Sequence, residues 1–311
     1  MGYVYYGDAR WKLCTGTDLS PTESKAITEL YGAVRQYLPY ILTVCTNSEE
    51  ITDNDHVIYI GTVKSNPELL RLAEKGAFSP EFRKEGYSMK VMLSASRPGK
   101  TDIVIQGADP VGVLYAVYDF EHAYLDDYLK YFGYHFKKQV HPFVDSCPAF
   151  ERKEAPGISN RGLWTWGHKI YDYKGYIDHM ARCRMNMLVI WNDNPPLNGK
   201  DVVDYAHLNG VRVIWGYSCA WGEDIQVDPT DPQEAIRWGK YVLDVYEKDY
   251  APLGGDGLYF QAFTEQNEKY INGVSIATLI TDWINLVVQC LKNSHPELYV
   301  QFGIHATSIG K

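Results

Sequence analysis

The stretch Gly257 to Glu268, GLYFQAFTEQNE, passes without a break from apolar residues to carboxylates and amides. Leu258 to Phe263 has the near-continuous apolar character of a strand buried on both faces. Thr264, Glu265, Gln266, Asn267 and Glu268 follow at once. An acid at the end of a buried strand is carried by a rigid element and still reaches a surface, which suits proton transfer. A Glu enclosed by Trp, Tyr and Phe has its pKa raised by desolvation, so it holds a proton near neutral pH and can pass it to a leaving group. Glu265 is the candidate for that role. Glu268 is the local alternative, although a carboxylate further into a loop is more often simply solvated. The bland reading of Glu265 is a loop opener paired with an Arg.

Other segment ends carry a second kind of chemistry. Trp164, Trp166, Trp191 and Trp221 each offer a flat face for a sugar ring, while core packing remains the commoner role of any single Trp. Asn192, Asn194, Asn267 and His305 bring groups that hydrogen-bond hydroxyls, and Asp193 is a further candidate for a second carboxylate. The run Asn192-Asp193-Asn194-Pro195-Pro196 also reads as an ordinary turn. The sequence shows no metal triad, and His168 and His305 read as lone polar residues. No cofactor is called for.

The elements that must position these residues fall into two sets. Ser20-Pro21-Thr22-Glu23 opens a helix with a capping box and Pro at its first position, running to about Leu38. Strands are expected near Tyr40 to Val44 and His56 to Gly61, and a short helix from Asn66-Pro67 through Ala73. A strand pair, Gly86 to Leu93 and Thr101 to Gln106, turns at Arg97-Pro98-Gly99. Asp109 caps a helix from Val111 to about Tyr124. These make an accessory α/β domain over residues 1–145. The Pro-rich stretch that follows reads as a linker, 146–156.

From residue 157 to 311 strands and helices alternate. Strands are expected over Ile158 to Trp166, Met187 to Trp191, Val211 to Trp215, Leu258 to Phe263 and Leu298 to Ile304. Helices are expected over Tyr173 to Arg184, Lys200 to Leu208 and Pro232 to about Tyr250. The last helix is the clearest, with Ile276, Leu279, Ile280, Trp283, Val287, Val288 and Leu291 at i, i+3, i+4 and i+7 spacing. Such alternation predicts a parallel sheet with crossover helices. A dinucleotide-binding sheet needs a Gly-rich turn after its first strand, and Trp164-Thr165-Trp166-Gly167-His168 cannot cradle a pyrophosphate. Polar or aromatic residues at every strand end favour a TIM-type barrel. Such a barrel has eight strands and about 250 residues, so five strands make it incomplete. A truncated chain is the expectation, with a second carboxylate beyond residue 311. An unfinished barrel should expose helix faces such as Ile280 and Val287 and self-associate as a homo-oligomer.

Composition narrows the partners. A net charge of −9 over 311 residues argues against nucleic acid and anionic membrane surfaces, which select for a basic face. No apolar run is long enough to span a membrane. The N-terminus, MGYVYYGDARWK, lacks the apolar stretch of a signal peptide, which taken literally makes the protein cytoplasmic. Six scattered cysteines form neither a zinc pattern nor a disulfide framework and read as reduced, buried thiols. With 14% aromatic residues, many of them in the second half, a carbohydrate is the expected partner.

Two segments resemble known families. EGYSMKV followed by IVIQGADPVGVLYAVYDFEHAYL is similar to the N-terminal accessory domain of family 67 α-glucuronidases and family 20 β-hexosaminidases. DPTDPQEAIRWGKYVLDVYEKDYAPLGGDGLYFQAFTEQNE resembles the family 67 segment that ends in a Ser-Glu bearing the general acid, and MARCRMNMLVIWNDNPP resembles that family's second strand. The resemblance implies a glycoside hydrolase with Glu265 at the acid position. Where the family has Lys-Ala-Asp-Ser-Glu-Gly, this chain has Gln261-Ala262-Phe263-Thr264-Glu265-Gln266, so the Lys and Asp tied to glucuronate are absent. Thr264 also stands where family 20 has the Asp of its substrate-assisted mechanism. Glycoside hydrolysis needs two carboxyls, one protonated and one ionised. The alternative is a non-catalytic sugar-binding or scaffold protein on the same fold.

Overall fold

The computed structural model describes residues 10–37, 42–80, 82–128, 147–192, 194–216, 228, 230–261 and 269–303. The chain divides into two compact units. One is Met1–Ser159 with the short pieces Ala181–Arg184 and Leu208–Gly210, and the other is the remainder.

The first unit is a six-stranded mixed sheet. In chain order its elements are β1 (Arg10–Cys14), α1 (Pro21–Tyr37), β2 (Leu42–Cys45), β3 (Asp55–Gly61), α2 (Pro67–Glu74), β4 (Tyr87–Leu93), β5 (Thr101–Gly107), α3 (Pro110–Asp119) and β6 (Phe150–Glu154). The strand order is β2-β1-β3-β5-β4-β6. The first four are parallel, β4 runs antiparallel to β5, and β6 antiparallel to β4. Two expectations need correction here. β1 was not foreseen, because RWKLC mixes charged and apolar residues, yet it lies between two neighbours. Residues 150–154, read from their polarity as part of a linker, form the edge strand β6. An edge strand keeps one face and one backbone edge in water, so it need not be apolar.

The sequence signals for capping act as expected. Ser20 and Glu23 exchange hydrogen bonds, Ser20 N to Glu23 Oε2 at 3.1 Å and Glu23 N to Ser20 Oγ at 3.2 Å. Asp109 accepts from the Gly112 backbone at 2.8 Å and, through its other oxygen, from the Glu85 backbone at 2.8 Å. A Cβ on Gly107 would lie 2.2 Å from the Val113 nitrogen, so this turn closes only on glycine. On one side of the sheet Trp11, Leu13, Ile58, Ile60 and Ile105 pack under α1 and α3. On the other side Cys14, Cys45, Val57, Tyr59 and Val104 pack with Leu69 of α2.

The second unit is a curled, half-barrel sheet of five parallel strands. Its elements are β7 (Gly162–Trp164), α4 (Tyr173–Arg182), β8 (Met187–Trp191), α5 (Gly199–Leu208), β9 (Arg212–Gly216), α6 (Pro232–Val245), β10 (Gly257–Gln261), the small hairpin β11 (Tyr270–Ile271) and β12 (Val274–Ser275), α7 (Ile276–Ser294) and β13 (Tyr299–Gly303). The spatial order β7-β8-β9-β10-β13 follows the chain order. Leu188, Ile190, Val213, Trp215, Leu258 and Phe260 point to the side covered by helices. Met187, Val189, Ile214 and Tyr259 point to the other side.

Ile280 and Val287, expected to be exposed, are only 8% and 4% accessible. The stripe of α7 is covered by its neighbours in the same unit, with Trp283 against Trp238 of α6 at a ring separation of 5.9 Å. No helix of the described residues is long and apolar enough to cross a membrane.

Candidate functional site

The C-terminal ends of β7, β8, β9 and β10 bring together an aromatic wall. Parallel pairing places Trp191, Gly216 and Tyr259 in one row across β8, β9 and β10. Register partners on parallel strands project to the same side, so Gly216 leaves a gap between two large rings. Trp191 leans into it: a Cβ on Gly216 would lie 2.6 Å from Trp191 Cε3. The rings of Trp191 and Tyr259 then meet edge to face at 5.4 Å. Gly303 on β13 gives the same kind of clearance, since its Cβ would lie 1.9 Å from the Tyr259 hydroxyl.

Trp164 ends β7 and contacts Tyr259 at 5.0 Å, while Trp166 lies stacked on Trp191 at 6.2 Å and 6.4 Å from Trp164. The loop that carries Trp166 is fixed by hydrogen bonds rather than by burial. Thr165 Oγ1 accepts from the Trp191 backbone N–H at 3.0 Å, and the Gly167 N–H donates to the Trp191 carbonyl at 2.8 Å. Trp166 and Gly167 both take left-handed backbone conformations, φ +50° and +78°. This tight turn holds the Trp166 ring over the end of β8. Aromatic pairs of this kind contribute about 0.5–1.5 kcal/mol each beyond area burial.

The wall is stiff at its base and open at its top. Tyr259 is 5% exposed, and burial raises its hydroxyl pKa, which keeps the phenol protonated as a hydrogen-bond donor. Trp164 and Trp166 are 47% and 53% exposed. Exposed indole faces supported by buried rings are suited to an apolar, flat ligand surface such as the face of a sugar ring.

Of the residues singled out from sequence, Trp164, Trp166 and Trp191 converge. Asn192 follows Trp191 directly, half-buried, with its backbone N–H bonded to the Gly216 carbonyl at 3.3 Å. Asn194 is exposed. Glu265, Glu268, Asp193, Trp221, Asn267 and His305 lie outside the described residues. β10, whose last residue is Gln261, is the strand that leads to Glu265. Tyr259, a member of this wall, is not singled out from sequence because an apolar run of six hides which residues face which side. The signal was available: Gly216 and Gly303, each closing a strand, marked where a large neighbour needed room.

The family model described as Glycosyl hydrolase family 67 N-terminus matches residues 10–120. No curated protein matches the chain. Among solved structures the chain is similar to that described as "Structure of CpGH84B", with a TM-score of 0.57 at 13% identity over 95% of this chain and 46% of that one. It is also similar to the GH20 beta-N-acetylhexosaminidase from Streptomyces coelicolor A3(2), with a TM-score of 0.55 at 12% identity over 94% of this chain and 61% of that one. At these identities the likeness is one of fold. The chain spans less than two thirds of the length of either relative. It therefore resembles glycoside hydrolases in fold, and family 67 in its N-terminal part.

Proposed function

We propose that this chain carries part of the active site of a glycoside hydrolase acting on O-glycosidic bonds of an oligo- or polysaccharide. The observation that carries the reading is the wall of Trp164, Trp166, Trp191 and Tyr259 at the C-terminal ends of consecutive parallel strands. Active sites of (β/α)8 barrels sit at that end of the sheet. On this reading β7 to β10 and β13 are five strands of a TIM barrel, and the first unit, which includes β6, is its accessory domain. The order of the strands and the share of the related structures that the chain covers support it.

The wall binds the sugar by stacking, and the Tyr259 hydroxyl is available to donate to a ring substituent. Glu265 supplies the proton to the leaving oxygen. Its position just beyond β10 and the resemblance to a Ser-Glu acid site support that role. Asp193, Glu268 or a carboxylate on the remaining strands of the barrel serves as the ionised partner.

The test is Glu265→Gln in the full-length gene product. Turnover of natural glycosides should fall by roughly 10²–10⁴, the usual contribution of a positioned proton donor. Substrates with good leaving groups need little protonation and should lose much less. Equal losses on both would make Glu265 a positioning residue only. An unchanged rate removes it from the mechanism, and sugar binding without any turnover in the wild type would indicate a binding protein instead.

A further inference from the structure

Two of the buried thiols lie side by side in the first unit, far in sequence and adjacent in the sheet. Cys14 closes β1 and Cys45 closes β2, and the two are direct register partners of a parallel pair. Their side chains share one face of the sheet, among Val57, Tyr59, Leu69 and Val104. They are 0% and 2% exposed, and each thiol shifts the ionisation of the other. The ladder continues past them, with the Thr15 N–H donating to the Cys45 carbonyl at 3.0 Å.

Neighbouring strands stand about 4.8 Å apart, which lies inside the roughly 4.4–6.8 Å Cα separation a disulfide spans. A bridge between register partners also needs the Cβ atoms drawn closer than the strand spacing, to about 3.8 Å. β2 is suited to that adjustment. Among the described residues it is a four-residue edge strand whose one sheet neighbour is β1, and Thr43 and Val44 in its middle are exposed.

We propose that Cys14 and Cys45 form a reversible disulfide when the protein meets hydrogen peroxide. Cys45 sulfur attacks one peroxide oxygen as a thiolate, the O–O bond breaks, and the departing hydroxide takes up the proton that Cys45 released and leaves as water, giving the Cys45 sulfenic acid. Cys14 sulfur then attacks the Cys45 sulfur, the S–OH bond breaks, and the hydroxide leaves as water with the Cys14 proton. The sum is two thiols and one peroxide to one disulfide and two waters.

The division of roles follows from position: Cys45 closes the short edge strand β2, while Cys14 closes β1, which lies between β2 and β3. The interaction between the thiols acts in the same direction, raising the pKa of Cys14, with burial adding to the rise, and lowering that of Cys45. Lys12 favours the Cys45 thiolate, while Glu50 and Asp55 oppose it. The thiolate is the nucleophile, so Cys45 reacts first. Opening of the short edge strand admits the peroxide.

The test is peptide mapping of the folded chain after hydrogen peroxide treatment and alkylation of the remaining thiols, with no reductant present. The expected product joins the Cys14 and Cys45 peptides with the loss of two hydrogens and disappears on reduction. In Cys14→Ser the reaction should stop at a sulfenic acid on Cys45, read as a dimedone adduct. The proposal is overturned if both cysteines remain alkylatable thiols once exposed Cys183 has been oxidised. It is equally overturned if Cys45 couples to another cysteine or is oxidised to sulfinic acid without bridging.

Discussion

Trp166 combines a costly backbone conformation with an exposed ring. Its φ of +50° is a region that L residues avoid at a cost of roughly 1–2 kcal/mol, and its ring is 53% exposed. Stacking on Trp191 offsets part of that cost, and under the proposed function the exposed face stacks on a sugar. Two substitutions separate these effects. Trp166→Ala and Trp166→Gly both remove the ring and should weaken binding of an oligosaccharide about fivefold by calorimetry, a loss of ~1 kcal/mol. In denaturant melts the Gly variant should be the more stable of the two by about 1 kcal/mol, after allowance for the extra freedom of the unfolded Gly chain. Equal stability of the two would show that the turn carries no conformational cost. Gly216 is the complementary case on β9, a residue whose missing side chain lets Trp191 and Tyr259 touch.

At the scale of elements, the end of α5 is tied to the bases of β9 and β10 by a single carboxylate. Asp256 Oδ2 accepts from the Val213 backbone N–H at 2.8 Å and faces His207 Nε2 at 2.9 Å. The hydrogen bond with Asp256 raises the His207 pKa; burial opposes it, nearby Asp204 adds to the rise, and Lys200 lowers it. A raised folded-state pKa means that the bond's contribution to stability is complete below the unfolded value of about 6.5 and is lost as pH rises through the folded value. Half of the His207 ring is in water, so the effect is modest. The stability difference between wild type and His207→Asn, taken from denaturant midpoints, should therefore shrink as pH is raised from 6 to 9. A difference that stays constant would assign no protonation-linked role to the pair. β8 spans Met187–Trp191 as its unbroken apolar run indicated, and α7 begins at Ile276 where its stripe begins. β6 was concealed because an edge strand need not be apolar.

At the scale of the molecule, each end of the half-barrel sheet is an edge among the described residues. β7 is only three residues long, while β13 offers five, with Phe302 39% exposed. An unpaired edge with an exposed aromatic is a template for strand pairing. The 311-residue chain alone should therefore associate in a concentration-dependent way on sizing columns with light scattering, and Phe302→Lys should reduce it. A monomer at all concentrations would contradict this. The helix faces first expected to drive association cannot do so, because Ile280 and Val287 are covered within their own unit.

Periodicity, capping residues and turn residues determined most elements and their alternation, because those signals act within a few residues of chain. The strand ends as surface positions also came from sequence, since a buried strand that turns polar has to reach the surface there. What only the tertiary structure decided is which side chains meet. The row Trp191, Gly216 and Tyr259, and the partnership of Cys14 with Cys45, depend on the register of neighbouring strands. Register is a relation between segments 25 to 45 residues apart. The pattern within a strand fixes which face each residue takes, but which residue of the neighbouring strand lies opposite is decided by packing across the sheet.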